Sequence, residues 1–107
     1  MLLDEDIPIR LRLHFQANVE VETVEYRRWK GLNNGALLRA AQNHFDLLVT
    51  TDNNLPNQQP LERYDLAVVI LRPRSKRFAD LMQLVPRLEV ALDSVQPDEC
   101  LRIFPPE

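Results

Sequence analysis

Two groups of acidic residues are the first candidates for chemistry, because each directly follows a stretch predicted to be a strand. The first group is Asp4, Glu5 and Asp6, after a short apolar start, and the second is Asp52, after the run LLVTT. Carboxylates a few ångströms apart repel one another unless a cation lies between them. Oxygen ligands with room for water favour Mg²⁺ or Mn²⁺ over Zn²⁺. The pattern therefore predicts a Mg²⁺ or Mn²⁺ site, although helix caps and turns explain either group taken alone.

A basic loop, RPRSKR, follows the most apolar stretch of the chain, LAVVIL at 66–71. Its charged and hydroxyl side chains are Arg72, Arg74, Ser75, Lys76 and Arg77. Positive side chains beside a carboxylate-held cation suit a substrate that carries phosphates. Asn54, shortly after Asp52, is a candidate for orienting a metal-bound water. The alternative for the loop is plain solvation, with Ser75 capping the next helix.

The elements that must position these residues alternate between strand and helix. We predict strands at 2–3, 18–24, 47–51, 66–71 and 101–104. We predict helices over 8–15, with Asp6 as N-cap, over 35–45, capped by Asn34, and along the apolar stripe 78–95, which Pro86 kinks or divides. We predict a connecting segment at 25–33 and a polar loop at 53–60.

The alternation of elements predicts one α/β domain over residues 1–107. Two strands are apolar throughout, which is typical of a parallel sheet covered on both faces. We therefore expect a three-layer sandwich with a mostly parallel central sheet of four to five strands. The period of two in NVEVETV marks the second strand as an outer one. The first and third strands would then be neighbours, and Asp4 would face Asp52 across one crevice.

Composition excludes several classes of protein. The chain has only two glycines, which leaves no glycine-rich phosphate loop, and one cysteine, which excludes an intrachain disulfide and a multi-thiolate zinc site. No apolar run approaches the ~20 residues of a membrane span, and no secretory signal is visible. We therefore expect a cytoplasmic protein without a membrane partner. A net charge of −3 means that any nucleic-acid binding must depend on local patches.

Three stretches together resemble the small PIN-like family of predicted nucleases, whose members are often encoded as toxins of toxin–antitoxin pairs. The stretches are LLDEDIP, GLNNGALLRAAQNHFDLLVTTDNNL and AVVILRPRSKRFADLMQLVP, and the resemblance that they carry extends over nearly the whole chain. The family pattern begins D-E-N/D-x-P, continues through G-L-x-(N/D)-G-E-L-L and T-x-D-x-x-L, and closes with L-R-x-x-S-x-R. The chain departs from relatives at Ala36, where Glu is common, and at Asn34, where larger PIN proteins place an acid.

The resemblance implies a PIN-type fold and a Mg²⁺- or Mn²⁺-dependent endoribonuclease. Asp4 and Asp52 match the principal metal-binding acids of the family, Glu5 and Asp6 match the rest of its opening motif, and Ser75 and Arg77 match its basic loop. The implied metal ligands are Asp4, Asp6 and Asp52, and the implied catalytic residues are Asp4, Glu5 and Asp52. The expected RNA-binding residues are Asn54, Arg74, Ser75, Lys76 and Arg77. The resemblance also implies a small antitoxin protein as partner, and the outer strand leaves homodimerisation open.

Two other classes of function stay open. Phosphoacceptor receiver domains also place acids after the first strand, an Asp after the third and a Ser or Thr after the fourth. Asp52 would then be phosphorylated, and Asp4 and Glu5 would hold Mg²⁺, but LRIFPPE lacks the Lys that receivers have after the fifth strand. The third interpretation is a non-catalytic interaction module, which Ala36 favours.

Overall fold

Two short apolar stretches, near the start and in the middle of the chain, lie side by side within a parallel sheet. In the computed structural model, which describes residues 1–106, five strands form one sheet in the order β2-β1-β3-β4-β5, and all neighbours are parallel. The strands are β1 (Leu2–Leu3), β2 (Glu22–Thr23), β3 (Leu47–Thr50), β4 (Ala67–Leu71) and β5 (Cys100–Ile103). The predicted outer position of the second strand and the pairing of the first with the third are both confirmed.

Helices connect the strands. Within residues 1–106 the α-helices are α1 (Asn34–Gln42), α2 (Leu55–Gln58), α3 (Phe78–Met82) and α4 (Val85–Leu92). Two 3₁₀ helices, Ile9–His14 and Leu61–Arg63, complete the set. None of these helices combines the length and the apolar character needed to cross a membrane.

The inner strands are apolar throughout because both faces of the sheet are buried. Leu2, Leu48 and Val68 pack in one core with side chains of α1 and α2. Their neighbours Leu3, Val49 and Val69 pack in a second core, with side chains of the first 3₁₀ helix, α3 and α4. The prediction of an α/β fold around a parallel sheet is confirmed, and helices on both faces are compatible with three layers.

The segment after the acidic group differs from its prediction. Residues 9–14 form a 3₁₀ helix rather than an α-helix, and the residue at its N-cap is Pro8, so the prediction of Asp6 as cap was wrong. The Asp6 carboxylate is engaged elsewhere, with the Thr50 hydroxyl and the backbone of Thr51. The end of β1 therefore carries an acidic side chain directed towards β3 rather than towards its own helix.

Other boundaries are also shifted. The second strand spans only Glu22–Thr23, and the predicted loop at 53–60 contains α2. Helix α1 is capped by Asn33, whose side-chain oxygen accepts the backbone N–H of Ala36 at 2.8 Å, so the assignment of the cap to Asn34 was wrong by one residue. The stripe at 78–95 is two helices, as the Pro86 alternative predicted.

Candidate functional site

The predicted site lies at the carboxyl edge of the sheet, between β1 and β3. Strand β1 pairs with β2 on one side and with β3 on the other, so the order of the chain reverses at this point. Open α/β sheets bind ligands in the crevice at such a position. The backbone N–H of Asp4 donates to the Val49 carbonyl at 2.9 Å, which extends the β1–β3 pairing to Asp4 and fixes the base of its side chain.

A buried hydroxyl brings two of the predicted acids together. The Thr50 side chain is fully buried at the end of β3. Its Oγ1 lies 2.8 Å from Asp4 Oδ2 and 3.1 Å from Asp6 Oδ2, in donor geometry to both. A hydroxyl has one hydrogen and can donate fully to only one of them at a time. Asp4 and Asp6 therefore converge on a single donor, which leaves negative charge only partly compensated.

The convergence affects the protonation of Asp4. Burial raises the pKa of the Asp4 carboxyl above its ordinary value, and the nearby charge of Asp6 raises this pKa further. The hydrogen bonds from the Thr50 hydroxyl and from the Glu5 backbone N–H act in the opposite direction. The raised pKa means that the folded chain disfavours the charged form of Asp4, first through lost hydration and then through repulsion by Asp6.

Asp52 lies beside this pair but is engaged differently. Its backbone N–H donates to Thr50 Oγ1 at 3.1 Å, while its carboxylate accepts the backbone N–H of Asn54 at 3.0 Å. The second bond closes a local Asx-type turn. Asn54 is exposed, and the structure records its backbone rather than its side chain in contact with Asp52.

The Glu5 carboxylate points to a different neighbour. Its Oε1 accepts the backbone N–H of Gly31 at 3.2 Å, and Gly31 has a φ of +87°, a conformation that favours glycine. This bond ties the connection between β2 and α1 to the acidic segment. Among residues 1–106, then, the Glu5 carboxylate holds a loop, and the hydrogen bond from Glu5 to Asp4 comes from the Glu5 backbone N–H.

A cleft of about 410 Å³ adjoins Asp6 and the basic loop. It is lined by Asp6, Pro8, Thr51, Leu71, Arg72, Pro73, Ser75, Lys76 and Leu81. The loop follows β4, and the parallel strands end at the same edge of the sheet, so positive side chains lie beside the acidic group as expected. Arg72 and Lys76 both line this space.

Of the other predicted phosphate-binding residues in the basic loop, Ser75 also lines the cleft, whereas Arg74 and Arg77 do not. The Arg74 guanidinium donates to the Pro106 carbonyl, which directs it to the end of the chain. The Ser75 hydroxyl donates to the Asp80 carboxylate and accepts the Arg77 backbone N–H. Helix α3 begins at Phe78 with Arg77 as N-cap, so the alternative role of Ser75 as N-cap was wrong. Arg77 itself is exposed and does not line the cleft.

The donor atoms fit Mg²⁺ or Mn²⁺ in chemistry, since Asp4 and Asp6 offer carboxylate oxygens. Mg²⁺ is commonly bound through one or two protein carboxylates together with waters and substrate phosphates. Residues 1–106 hold no group of three or more His, Cys, Asp or Glu side chains that could bind a metal ion. The arrangement therefore suits one ion that is bound by Asp4 and Asp6 together with waters and a substrate phosphate. It suits less well an ion bound by three or more protein carboxylates.

Thr50 was not predicted to be a member of the site. The signal for Thr50 was its polar side chain at the end of an otherwise apolar strand, where the next residues are Thr51 and Asp52. A hydroxyl with no exposure must find partners within the fold. Arg72 was recognised only as part of the basic loop, and its place beside Asp6 depends on the path of residues 72–77.

Comparisons of the chain with protein-family models, with curated proteins and with solved structures found no match. The interpretation of the site therefore depends on its own geometry and on the motif resemblance.

Proposed function

We propose that this chain is a PIN-like endoribonuclease that hydrolyses RNA phosphodiesters with the help of one Mg²⁺ or Mn²⁺ ion. The observation that carries the proposal is the convergence of the Asp4 and Asp6 carboxylates on the Thr50 hydroxyl, next to a cleft that also contains Arg72 and Lys76. Negative charge for a cation and positive charge for a phosphate are thus adjacent at one edge of the sheet.

Each residue of the site has its own role in the proposed reaction. Asp4 and Asp6 would hold the ion, and the Thr50 hydroxyl orients the Asp4 carboxylate from within the core. Such an ion would supply Lewis-acid activation of water and would neutralise charge on the phosphate. Arg72 and Lys76 bind the phosphate oxygens from the other wall of the cleft. Asp52 is the remaining acid near the pair and would contact the attacking water.

The biological setting belongs to the same proposal. The motif resemblance supports a toxin that acts in the cytoplasm and is neutralised by a small antitoxin protein encoded beside its gene. Co-expression with the product of the adjacent small gene should relieve growth arrest and yield a co-purifying complex.

A homodimer, formed through an outer strand, is also part of the proposal. Light scattering measures the molar mass of the purified chain and so tests whether it is a dimer.

The decisive experiment is cleavage of a labelled RNA by the purified chain in Mn²⁺, compared with Asp4→Asn and Asp52→Asn. Asp52→Asn keeps the oxygen that accepts the Asn54 N–H. Asp4→Asn keeps an oxygen for the Glu5 N–H and offers an N–H that the Thr50 hydroxyl can accept, so the fold should persist. Loss of cleavage in Asp4→Asn is expected, together with a strong reduction in Asp52→Asn. Asp65→Asn is the matched control, because Asp65 is exposed and precedes β4 at the opposite edge. Unchanged cleavage by both site variants would sink the assignment.

A receiver-like phosphoacceptor is the second candidate, and the strand order favours it. The order β2-β1-β3-β4-β5 is that of flavodoxin-like sheets, a class that includes receiver domains. Asp52 would be the phosphorylated residue. Incubation with acetyl phosphate and Mg²⁺ distinguishes the two candidates, since an acyl phosphate on Asp52, absent in Asp52→Asn, would support the receiver and count against the nuclease.

A further inference from the structure

An arginine and a phenylalanine connect the two segments that border the cleft. The guanidinium carbon of Arg10 lies 3.9 Å from the centroid of the Phe78 ring. Arg10 belongs to the 3₁₀ helix that follows the acidic group, and Phe78 is the first residue of α3, directly after the basic loop. The His14 ring also packs on Phe78, with centroids 5.5 Å apart and planes tilted by 60°. The contact therefore joins the segments that directly follow Pro8 and Lys76, two residues that line the cleft.

The charge of Arg10 is not neutralised within the described residues. Arg10 is exposed, and it forms no salt bridge with any carboxylate of residues 1–106. Arg27 offers a comparison, because it also lies over an aromatic ring, 4.8 Å from the centroid of Phe45. Arg27, however, donates twice to the Glu22 carboxylate, at 2.9 and 3.0 Å. Arg27 has the surroundings of a structural arginine, whereas the N–H groups of Arg10 donate to no acceptor within residues 1–106.

The Phe78 ring prepares Arg10 for binding. A guanidinium seated on an aromatic face is held by cation–π attraction and samples fewer conformations than a free one. Less side-chain entropy is then lost when a ligand binds. The planar group still presents paired N–H donors at its edge, which match two oxygens of a phosphate.

We propose that Arg10, seated on Phe78, binds a backbone phosphate of the RNA strand adjacent to the phosphate held in the cleft. The inference rests on the proposed function, because it extends the substrate path of the same site. Arg10 lies outside the three resembling stretches, and Phe78 directly follows the L-R-x-x-S-x-R pattern without belonging to it. Cleavage should accordingly depend on a flanking nucleotide, so a dinucleotide is a poorer substrate than a longer strand.

Arg12 supplies a matched control on the same 3₁₀ helix. Arg12 is exposed and carries the same charge, but it lines a different cleft, beside β2, together with Glu22 and Tyr26. Arg10→Ala and Arg12→Ala therefore remove equal charge from positions two residues apart. A difference in RNA affinity between the two variants would indicate a specific contact of Arg10 rather than an effect of the overall electrostatic field.

The test measures binding of a fluorescent oligouridylate about ten nucleotides long by anisotropy, in EDTA so that no cleavage occurs. Affinities are determined between ~50 and ~200 mM salt. We expect Arg10→Ala to weaken binding about tenfold and to reduce the slope of log K against log salt by about 0.7. Arg12→Ala should change neither quantity appreciably. Phe78→Leu, which keeps an apolar side chain against the core, should weaken binding while it leaves the slope nearly intact.

A second oligonucleotide, with uncharged methylphosphonate linkages, distinguishes a phosphate contact from base stacking. The effect of Arg10→Ala should disappear with this ligand, and an effect that persists would overturn the phosphate assignment. Equal losses in Arg10→Ala and Arg12→Ala would overturn the subsite but leave the nuclease proposal standing. If the unaltered chain neither binds the charged oligonucleotide nor cleaves RNA in Mn²⁺, the proposed function fails, and this inference fails with it.

Discussion

The Thr50 hydroxyl donates to the Asp4 carboxylate at 2.8 Å, a bond that joins the end of β3 to the end of β1. The register of the sheet produces this contact, since Leu3 pairs with Val49 and the following residue on each strand is Asp4 and Thr50. Because the hydroxyl is fully buried, its partners are fixed by the fold. The first step from sequence to site is therefore the pairing of two short strands.

Thr50→Val should destabilise the chain, whereas Thr50→Ser should not. Valine has nearly the same shape but offers no hydroxyl, so the Asp4 carboxylate loses a donor and the Asp52 backbone N–H loses an acceptor. Leaving such groups unsatisfied costs about 1–3 kcal/mol. Urea unfolding measures the difference, and Thr50→Ser, which keeps the hydroxyl, serves as the control. Equal stability of the valine variant and the unaltered chain would contradict a structural role for the bond.

The pH dependence of stability should reveal the raised pKa of Asp4. Burial and the charge of Asp6 raise this pKa above 3.8, the ordinary value expected in the unfolded chain. The folded state therefore holds the proton to higher pH than the unfolded state, and the contribution of Asp4 to stability falls as pH rises from about 3.8 through the folded value. Below this window both states are protonated and the penalty is absent.

Asp4→Asn removes this titration and supplies the test. The gain in unfolding free energy of Asp4→Asn over the unaltered chain should be smallest in acid, grow through the window and level off above it. Urea unfolding series at several pH values, without divalent cations, measure the gain. A difference between the two proteins that stays constant with pH would show that Asp4 does not titrate with a raised pKa.

The general architecture could be predicted from the sequence because it depends on burial. Apolar runs at 47–51 and 66–71 indicated strands covered on both faces, and the alternation in NVEVETV indicated an outer strand. Both inferences concern which residues are buried on folding, and burial largely decides whether a strand is an inner or an outer strand of the sheet. The position of Asp4 and Asp52 at the same edge follows from parallel pairing alone.

The direction of each side chain at that edge could not be predicted in the same way. Asp6 was expected to cap the next helix but contacts Thr50, because Pro8 and the 3₁₀ conformation start that helix without a side-chain cap. Glu5 was expected in the chemistry but accepts a bond from Gly31, 26 residues away. Hydrogen bonds between loops depend on loop geometry, for which the sequence carries no periodic signal.

Glu5 should therefore act as a positioning residue, and two substitutions can test this. Glu5→Gln keeps a side-chain oxygen that accepts the Gly31 N–H, whereas Glu5→Ala removes it. We expect Glu5→Gln to retain most Mn²⁺-dependent cleavage and Glu5→Ala to lose about tenfold in kcat/KM, as a lost hydrogen bond of ~1.4 kcal/mol would give. If the carboxylate were a metal ligand or a base, both variants would lose activity alike.

Lys76 and Arg74 should differ in their effect on the proposed reaction, although each substitution by alanine removes one positive charge from the same loop. Lys76 lines the cleft with Asp6, whereas the Arg74 guanidinium is engaged by the Pro106 carbonyl. A phosphate bound in the cleft would contact Lys76 and not Arg74. Lys76→Ala is expected to raise KM for RNA and to lower kcat/KM about tenfold, the scale of one charged hydrogen bond.

Arg74→Ala should change kcat/KM less than threefold, because long-range attraction between exposed charges is screened by salt. Steady-state cleavage assays at ~0.15 M ionic strength compare the two variants, and urea unfolding checks that both remain folded. Equal losses of kcat/KM in Lys76→Ala and Arg74→Ala would indicate that the loop acts only through its total positive charge. A larger loss in Arg74→Ala would place the RNA path on the side of the loop that faces Pro106 rather than in the cleft beside Asp6.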